Sequence, residues 1–459
     1  MQYNNDRLGA ALKMYLGTDP LPMHMPGHKR NTDVISKAFK EDITEISGFD
    51  NLHSPKGLIK DMEDAAAKLW GADKAYISVG GSTAMLLAAI SAVAAANPGC
   101  HALVAMNCHL AVWHALELTG TPIVPLMPVT DTALPFAGSV SAYEIENILM
   151  RNPQIKMVIV TSPTYEGVLS DCKGIASVAR RYDATLITDC AHGAHLGLGD
   201  DFWGEEQEGD IVIKSLHKTL NAPTQTAVML TYETCGISET IIRHYIDVYE
   251  TSSPSYVLLK GVSSMIADIN SNKDLMKEWE KGIIYAEQNL SSLKNFRFWQ
   301  APIRERSKLV ILGDGIRLAE QLRSDFNIEV EAAFATHIIA MTGVGDTEES
   351  IARFVSAMLK IDELGSFEMP EIRVIPRPKP HLIDNIKTAA ARGLTAEEAP
   401  LEESCGKLSG EYLFCYPPGV PLLVPGELIT SETLDYINSG TARILRGHEV
   451  FEGSIRVLP

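Results

Sequence analysis

Short apolar runs alternate with amphipathic segments along most of the chain, and this pattern predicts an α/β protein. From residue 61 onward, it predicts helices at 61–70, 82–96, 110–119, 141–151 and 173–182, and strands at 75–79, 101–106, 122–126, 156–162, 184–190 and 210–214. The strands are apolar along nearly their whole length, which is typical of a mostly parallel sheet covered by helices on both faces. The functional groups of such a sheet gather at the carboxyl ends of its strands.

The same criteria divide the chain into four regions. We expect an N-terminal arm over 1–60, a large domain over 61–280, a smaller α/β domain over 281–365 and an α+β C-terminal domain over 366–459. In the smaller domain the pattern predicts a strand at 307–312, helices at 315–326 and 347–362, and a β segment at 328–343. Residues 257–295 read as a long helical connector. Asp346 and Glu349 predict a capping box for the last helix of the smaller domain.

Charge and composition exclude several classes of partner. The 459 residues carry a formal net charge of −18, which disfavours nucleic acid and anionic membranes because phosphate contacts require a basic face. The seven cysteines include no CxxC pair, so we expect a reducing, cytoplasmic setting rather than a disulfide framework. The most apolar run, 84–96, is too short to span a bilayer.

Five strand ends carry polar or ionisable residues that could act together. The strand at 75–79 ends at Gly80-Gly81-Ser82-Thr83, 101–106 at Asn107-Cys108-His109, 156–162 at the polar loop 161–167, 184–190 at Asp189 with His192 and His195 beyond it, and 210–214 at Ser215, His217 and Lys218. Glycines and hydroxyls before a helix can bind a phosphate. A buried aspartate needs a partner such as a pyridinium N–H, and a lysine can bind an aldehyde covalently. Together these groups predict a site for pyridoxal 5′-phosphate (PLP).

Each of these residues also has a simpler interpretation. Ser82 and Thr83 could form a plain helix N-cap, and His109 could be an ordinary core histidine. His192 and His195 have HxxH spacing, although the sequence offers no third zinc ligand beside them. Lys214, still on its strand, is expected to be solvated or paired.

Longer motifs extend along the chain. They are MPGHKR (25–30), DITEISGFDNLHSPKGLIKDMED (42–64), VGGSTAM (79–85), NCHLAVWHALELTG (107–120), TSPTYEGVLSD (161–171), TDCAHGAHLG (188–197), SLHKTL (215–220) and YPPGVPLLVPGE (416–427). Across the arm, the large domain and the C-terminal domain, these motifs resemble those of the Orn/Lys/Arg decarboxylases, a family of fold type I PLP enzymes. The resemblance implies an aspartate aminotransferase-like large domain with a mostly parallel seven-stranded sheet.

The resemblance implies a role for each matching residue. Lys218 would bind the cofactor covalently, with His217 beside it near the phosphate and the reacting carbon. Asp189 would pair with the pyridine nitrogen, His109 would stack on the ring and His192 would lie by the phenolic oxygen. The same motifs imply that four residues would bind the phosphate: Gly81, Ser82, Thr83 and Ser215.

The chain departs from the family pattern in two places. Leu110 stands where familiar members have a lysine after the stacked histidine, and Arg30 follows GHK where they have a glycine. The chain begins almost at the core motifs, so the resemblance implies the short form without the flavodoxin-like N-terminal domain.

The resemblance also implies the reaction. We expect decarboxylation of a basic amino acid, arginine before lysine or ornithine, in a homodimer or dimer of dimers with active sites at the dimer interface. Asp50 and Glu427 are candidates for binding the far end of the substrate, and each could equally be a structural cap or ion pair. The alternatives are an aminotransferase, an aldolase, a desulfurase using Cys235, or a non-catalytic regulatory relative.

Overall fold

The computed structural model describes residues 6–18, 39–131, 134–199, 201–272, 274–365, 377–439 and 443–458. The arm motif at 25–30, with the departure at Arg30, lies outside the described residues. The helices are α1 (Arg7–Gly17), α2 (Leu58–Leu69), α3 (Gly81–Ala96), α4 (Leu110–Thr119), α5 (Ala142–Arg151), α6 (Cys172–Arg181), α7 (Leu216–Thr219), α8 (Glu239–Tyr249), α9 (Tyr256–Ser271), α10 (Asp274–Leu290), α11 (Gly315–Phe326), α12 (Glu348–Glu363), α13 (Ile386–Gly393) and α14 (Ser431–Asn438).

The strands form four sheets. They are β1 (Lys74–Ser78), β2 (His101–Ala105), β3 (Ile123–Leu126), β4 (Ile155–Thr161), β5 (Thr185–Asp189), β6 (Ile211–Ser215), β7 (Ala227–Thr231), β8 (Arg297–Phe298), β9 (Lys308–Leu312), β10 (Ala332–Phe334), β11 (His337–Met341), β12 (Glu397–Pro400), β13 (Leu408–Ser409), β14 (Leu413–Cys415), β15 (Val420–Leu423), β16 (Ile444–Arg446), β17 (Glu449–Val450) and β18 (Ser454–Leu458). The predicted elements of the large sheet all form, and their ends shift by a few residues at most.

The largest sheet confirms the predicted α/β class. Its seven strands run in the order β1-β7-β6-β5-β4-β2-β3. All neighbours are parallel except at β7, which is antiparallel to both β1 and β6. Buried apolar residues pack against both faces, which explains why β6 and β7 are buried at every position. The sequence pattern did not place β7, although its apolar residues at 227–231 fit a buried strand.

Three smaller sheets complete the described fold. A four-stranded antiparallel sheet, β10-β11-β9-β8, accounts for the predicted smaller α/β region, and the segment at 328–343 forms the hairpin β10–β11. Two sheets, β12-β18-β13 and β15-β14-β16-β17, form the C-terminal region. The domain boundaries given above stay a prediction. Among the described residues, no helix has both the length and the apolar character needed to cross a membrane.

Two local predictions were wrong in detail. The connector at 257–295 is two helices, because α9 ends at Ser271 with Asn272 as its C-cap and α10 begins at Asp274. The capping box of α12 pairs Thr347 with Ser350 rather than Asp346 with Glu349. The Asp346 carboxylate instead accepts hydrogen bonds from the Gly343 N–H and the Ser350 hydroxyl.

Candidate active site

The ends of β1 and β6 meet at the carboxyl edge of the large sheet. Ser82 opens α3 just after β1, and Ser215 ends β6, 133 residues later in the chain. Their hydroxyl oxygens lie 2.7 Å apart. Thr83 lies in the same first turn of α3 and is exposed. The predicted phosphate-binding hydroxyls are therefore adjacent, although β7 separates their two strands in the sheet.

Gly81 gives this cradle its backbone shape. Its φ is +74°, in the left-handed region that favours glycine, and a Cβ there would meet only the Gln225 carbonyl oxygen, at 3.9 Å. The 16-residue helix α3 begins at this glycine, so its unpaired N–H groups and dipole point at the cradle. Backbone N–H groups and two serine hydroxyls at a helix N-terminus form a suitable anion site.

Lys218 and His192 form the central contact of the site. The Lys218 Nζ lies 2.8 Å from the His192 Nε2. Burial lowers the pKa of Lys218, and burial together with the nearby Lys218 charge holds the pKa of His192 well below its usual range. An ammonium has no lone pair, so His192 Nε2 accepts from charged Lys218 and the imidazole proton lies on Nδ1. That Nδ1 is buried and has no hydrogen-bond partner within the described chain.

Asp189 ends β5 as a buried carboxylate. It is 3% exposed, and its Oδ1 accepts one hydrogen bond, from the Ala191 N–H at 3.2 Å. Burial raises the pKa of Asp189, while the charges of Lys218 and His109 act in the opposite direction. A carboxylate held in this way gains most from a cationic partner inside the site.

His109 is the N-cap of α4. Its Nδ1 accepts a hydrogen bond from the Ala111 N–H at 3.1 Å, and this bond fixes the orientation of the ring. The ring is open to the cleft, yet the surrounding protein desolvates it and lowers its pKa. Gly419 packs over the ring, and its carbonyl accepts from the Leu110 N–H at 2.8 Å. Leu110 therefore supplies this contact through its backbone.

His217 is held by one ring nitrogen. Its Nδ1 lies 3.0 Å from the Thr226 carbonyl oxygen, so Nδ1 carries the proton and Nε2 is left available. Burial lowers the pKa of His217 despite this hydrogen bond. The side chain is half-buried next to Lys218.

The two candidate substrate residues have other partners. The Asp50 carboxylate accepts hydrogen bonds from the N–H groups of Lys56, Gly57 and Ile59 at 2.9, 2.7 and 3.0 Å, at the start of α2. Burial opposes its ionisation, but these backbone donors lower its pKa overall. This geometry favours a structural role for Asp50, as a cap at the start of α2, over a contact with the substrate.

Glu427 lies in the interior of the C-terminal region. It is 3% exposed, and its Oε2 accepts from the Val424 N–H at 3.1 Å. Burial raises the pKa of Glu427 to about 7, although the charge of Arg377 partly offsets this. The structure thus places this carboxylate against its own turn and close to Arg377, and a substrate contact of Glu427 stays a prediction.

The two histidines of the HxxH pair have different partners. His195 is fully buried, and its Nε2 lies 2.9 Å from Glu305 Oε1, while His192 faces Lys218. No group of three potential ligands comes together among the described residues. Lys214 is fully buried and paired, with its Nζ 2.6 Å from Glu206 Oε1. The prediction that Lys214 is solvated or paired is thus met by the pairing.

Sequence reasoning missed a connection to the smaller antiparallel sheet. The Tyr165 ring packs edge-on against His192, with centroids 5.3 Å apart, and its hydroxyl donates to Glu331 Oε1 at 2.9 Å. The sequence pattern places Tyr165 in a polar loop, and no motif or periodicity marks Glu331 as a residue near the site. The two residues are 166 positions apart, so only the fold brings them together.

The donor set fits PLP. The cradle at Gly81, Ser82 and Ser215 suits the phosphate, Asp189 suits a protonated ring nitrogen, and Lys218 suits the aldehyde. The partnerless Nδ1–H of His192 can donate to an oxygen of a bound group next to Lys218. These residues would hold the cofactor as the sequence predicted.

Two family models match this chain over most of its length. Residues 8–316 match the model of the Orn/Lys/Arg decarboxylase major domain, and residues 380–444 match that of its C-terminal domain.

Three relatives illustrate the similarity. The arginine decarboxylase of Bacillus subtilis is 28% identical, covering 95% of this chain and 94% of its own. The constitutive lysine decarboxylase of Escherichia coli is 21% identical, covering 82% of this chain and 67% of its own. The crystal structure of the Francisella novicida lysine decarboxylase has a TM-score of 0.84 at 17% identity, covering 99% of this chain and 81% of that one. The chain belongs to the Orn/Lys/Arg decarboxylase family of PLP-dependent enzymes.

Proposed function

We propose that the protein decarboxylates a basic amino acid and that arginine is preferred over lysine and ornithine. The products would be CO2 and agmatine from arginine, cadaverine from lysine or putrescine from ornithine. The observation that carries the proposal is the contact of Lys218 with His192, 2.8 Å apart, within a site that also contains buried Asp189.

Similarity supports the preference for arginine. The relatives named arginine decarboxylase align over nearly the full length of both chains, as in Bacillus subtilis, at 28% identity. Those named lysine decarboxylase align less completely and at lower identity, as in Escherichia coli, at 21%. We extend the proposal to a role in polyamine biosynthesis, in the cytoplasm, by a homodimer or dimer of dimers.

The side chains have separable tasks in this reaction. When bound, PLP supplies an aldehyde that captures the substrate amine and a ring that accepts the electrons released as CO2 leaves. Asp189 keeps a negative charge against the ring nitrogen, which favours the protonated ring. His109 supports the ring face. Gly81, Ser82, Thr83 and Ser215 hold the phosphate end and so fix the orientation of the reacting bonds.

Proton transfer falls to Lys218 and His217. With substrate and cofactor bound, the Lys218 amine would be free to carry a proton to the substrate α-carbon. The lowered pKa of Lys218 makes its ammonium a stronger acid than ordinary lysine, which suits that donation. His217 is the second candidate, because its Nδ1 is fixed on Thr226 and its Nε2 is available.

The desulfurase alternative loses its only candidate nucleophile. Cys235 is buried, and burial raises its pKa to about 11, so its thiolate is scarce at neutral pH. This argues against a persulfide-forming role for Cys235.

A product assay with arginine, lysine and ornithine tests the proposal. We expect CO2 and the matching amine in equal amounts, fastest with arginine. Lys218→Ala should abolish both products, whereas Lys60→Ala, at an exposed ion pair with Asp64, should leave them unchanged. Keto-acid formation without CO2 would identify an aminotransferase instead, and equal rates on all three substrates would contradict the arginine preference.

A further inference from the structure

A cavity of about 220 Å3 adjoins the candidate active site. A single water needs only ~10–15 Å3, so the cavity can take a much larger group. Its wall shares three segments with the site. Asn107 precedes His109 by two residues, Tyr165 packs against His192, and Pro417 and Pro418 precede the Gly419 that covers His109.

Three polar atoms in this wall are buried without a hydrogen-bond partner among the described residues. They are Asn107 Oδ1, His337 Nε2 and Arg377 Nη2. Buried polar groups are normally satisfied because each unpaired one costs about 1–3 kcal/mol. That all three belong to residues lining one cavity indicates a polar ligand rather than three separate defects.

His337 is held rigidly in the wall. It is 2% exposed, its ring stacks on Phe334 with centroids 4.3 Å apart, and its Nδ1 lies 3.0 Å from the Thr336 hydroxyl. Phe136 also contacts the ring, in an edge-on arrangement with centroids 5.4 Å apart. The free Nε2 is therefore fixed in direction by its neighbours.

Arg377 sets the charge of the expected ligand. Its Nη1 donates to the Met106 carbonyl at the end of β2, and its Nη2 has no partner. Within the described ranges, no carboxylate forms an ion pair with this guanidinium. Glu427 approaches closely enough to favour its charge but instead accepts from Val424. Arg377 is half-buried, and a guanidinium with one buried, partnerless nitrogen in the wall of a cavity is suited to a carboxylate ligand.

We propose that Arg377, together with the free Nε2 of His337, binds the α-carboxylate of the amino-acid substrate. This inference rests on the proposed function, which supplies a ligand that has a carboxylate and reacts beside Lys218. Glu166, which lines the same cavity, accepts from the Thr164 hydroxyl at 3.0 Å. The cavity thus offers an acidic group as well, at a separate position, for the cationic side chain.

The test compares arginine with agmatine, which differs from it by the absence of the carboxylate. In the holoenzyme, Arg377→Met should raise KM for arginine about 10- to 100-fold, as expected for loss of a charge-assisted hydrogen bond. The inhibition constant of agmatine should stay within twofold of wild type. The effect should fall on KM more than on kcat, because the carboxylate charge is lost as the reaction proceeds.

Matched variants separate this role from a structural one. Arg377→Lys keeps the charge and should recover most of the affinity for arginine. Arg392→Met removes a surface arginine of the same region that pairs with Asp384, and it should leave the affinities for arginine and agmatine unchanged. Equal weakening of arginine and agmatine, or no change in either, would overturn the inference.

A second measurement covers the case in which Arg377→Met does not fold. Wild-type holoenzyme should bind argininamide, in which a neutral amide replaces the carboxylate, at least about tenfold more weakly than arginine. Equal affinities would overturn the inference. Failure of the proposed function would look different, since wild type would then release no CO2 from any basic amino acid while the two affinities could still be compared by calorimetry.

Discussion

The Lys218 Nζ lies 2.8 Å from the His192 Nε2, and the proton of His192 then occupies the buried Nδ1. His192 thus orients the lysine by accepting from it. The Tyr165 ring fixes His192 from the side, with centroids 5.3 Å apart. The reactive amine is positioned by a chain of contacts rather than by packing alone.

Replacing His192 should lower the pKa of Lys218 further. His192→Phe keeps the edge contact with Tyr165 but removes the acceptor that favours the ammonium, so the pKa should fall. The pH dependence of Lys218 acetylation in the cofactor-free protein, followed by mass spectrometry, measures this. Lys60 serves as the internal control. A midpoint that rises in the variant would contradict the proposed hydrogen-bond direction.

Gly81 and Gly71 should separate backbone strain from phosphate binding. Both have positive φ, +74° and +62°, and neither has a close atom that a Cβ would strike. Gly81→Ala and Gly71→Ala should each lower the free energy of unfolding by about 1–2 kcal/mol, the cost of left-handed backbone for alanine. Only Gly81→Ala should weaken cofactor binding, by at least about tenfold. Titrating each variant with PLP and following the cofactor absorption measures this affinity. Equal affinities in the two variants would exclude Gly81 from the phosphate site.

The buried network around Glu305 should be important for stability. Its carboxylate lies 2.9 Å from His195 Nε2 and 3.1 Å from Lys308 Nζ, and all three side chains are fully buried. Glu305→Gln should destabilise the protein by about 3–5 kcal/mol, because a buried lysine loses its counter-charge. Urea denaturation measures this. Glu329→Gln, which breaks an exposed pair with Arg323, should have no measurable effect. A similar stability for the two variants would mean that the buried network contributes little.

Glu427 should make stability depend on pH. Burial raises its pKa from 4.5 to about 7, so the folded state binds this proton more tightly than the unfolded state does. The stability that protonated Glu427 contributes to the folded state is fully present below pH 4.5 and is lost as pH rises through about 7. Glu427→Gln should therefore gain stability relative to wild type between pH 5 and pH 8, by about 3 kcal/mol at most. A stability difference that stays constant across this range would refute the raised pKa.

Asp189→Asn should remove activity without unfolding the protein. The amide keeps the shape but not the charge that favours a protonated ring nitrogen, so kcat should fall at least about 100-fold. Because the carboxylate is buried with a raised pKa, its neutral replacement should not lower the melting temperature of the cofactor-free protein. A large loss of thermal stability would point to a structural role for Asp189 instead.

The local pattern of residues determined the elements and the polar groups at their ends. Continuous apolar runs predicted six of the seven strands of the large sheet, and Gly81, Asp189 and Lys218 were identified because each lies where such a run ends. Helix caps were predicted less reliably from the sequence. Thr347 and Asp346 are adjacent, and the side chain of either can accept a hydrogen bond from the N–H groups at the start of a helix.

Tertiary structure decided which of these groups meet. Ser82 and Ser215 come together across 133 residues, and Tyr165 and Glu331 across 166, through an order of strands that the sequence pattern does not specify. The fold also gave Asp50 its backbone donors and left the Arg377 Nη2, in the wall of a cavity, without a hydrogen-bond partner in the described part of the chain. Side-chain type and spacing are local properties, whereas burial and pairing depend on contacts between distant segments, so only the folded chain could assign these roles.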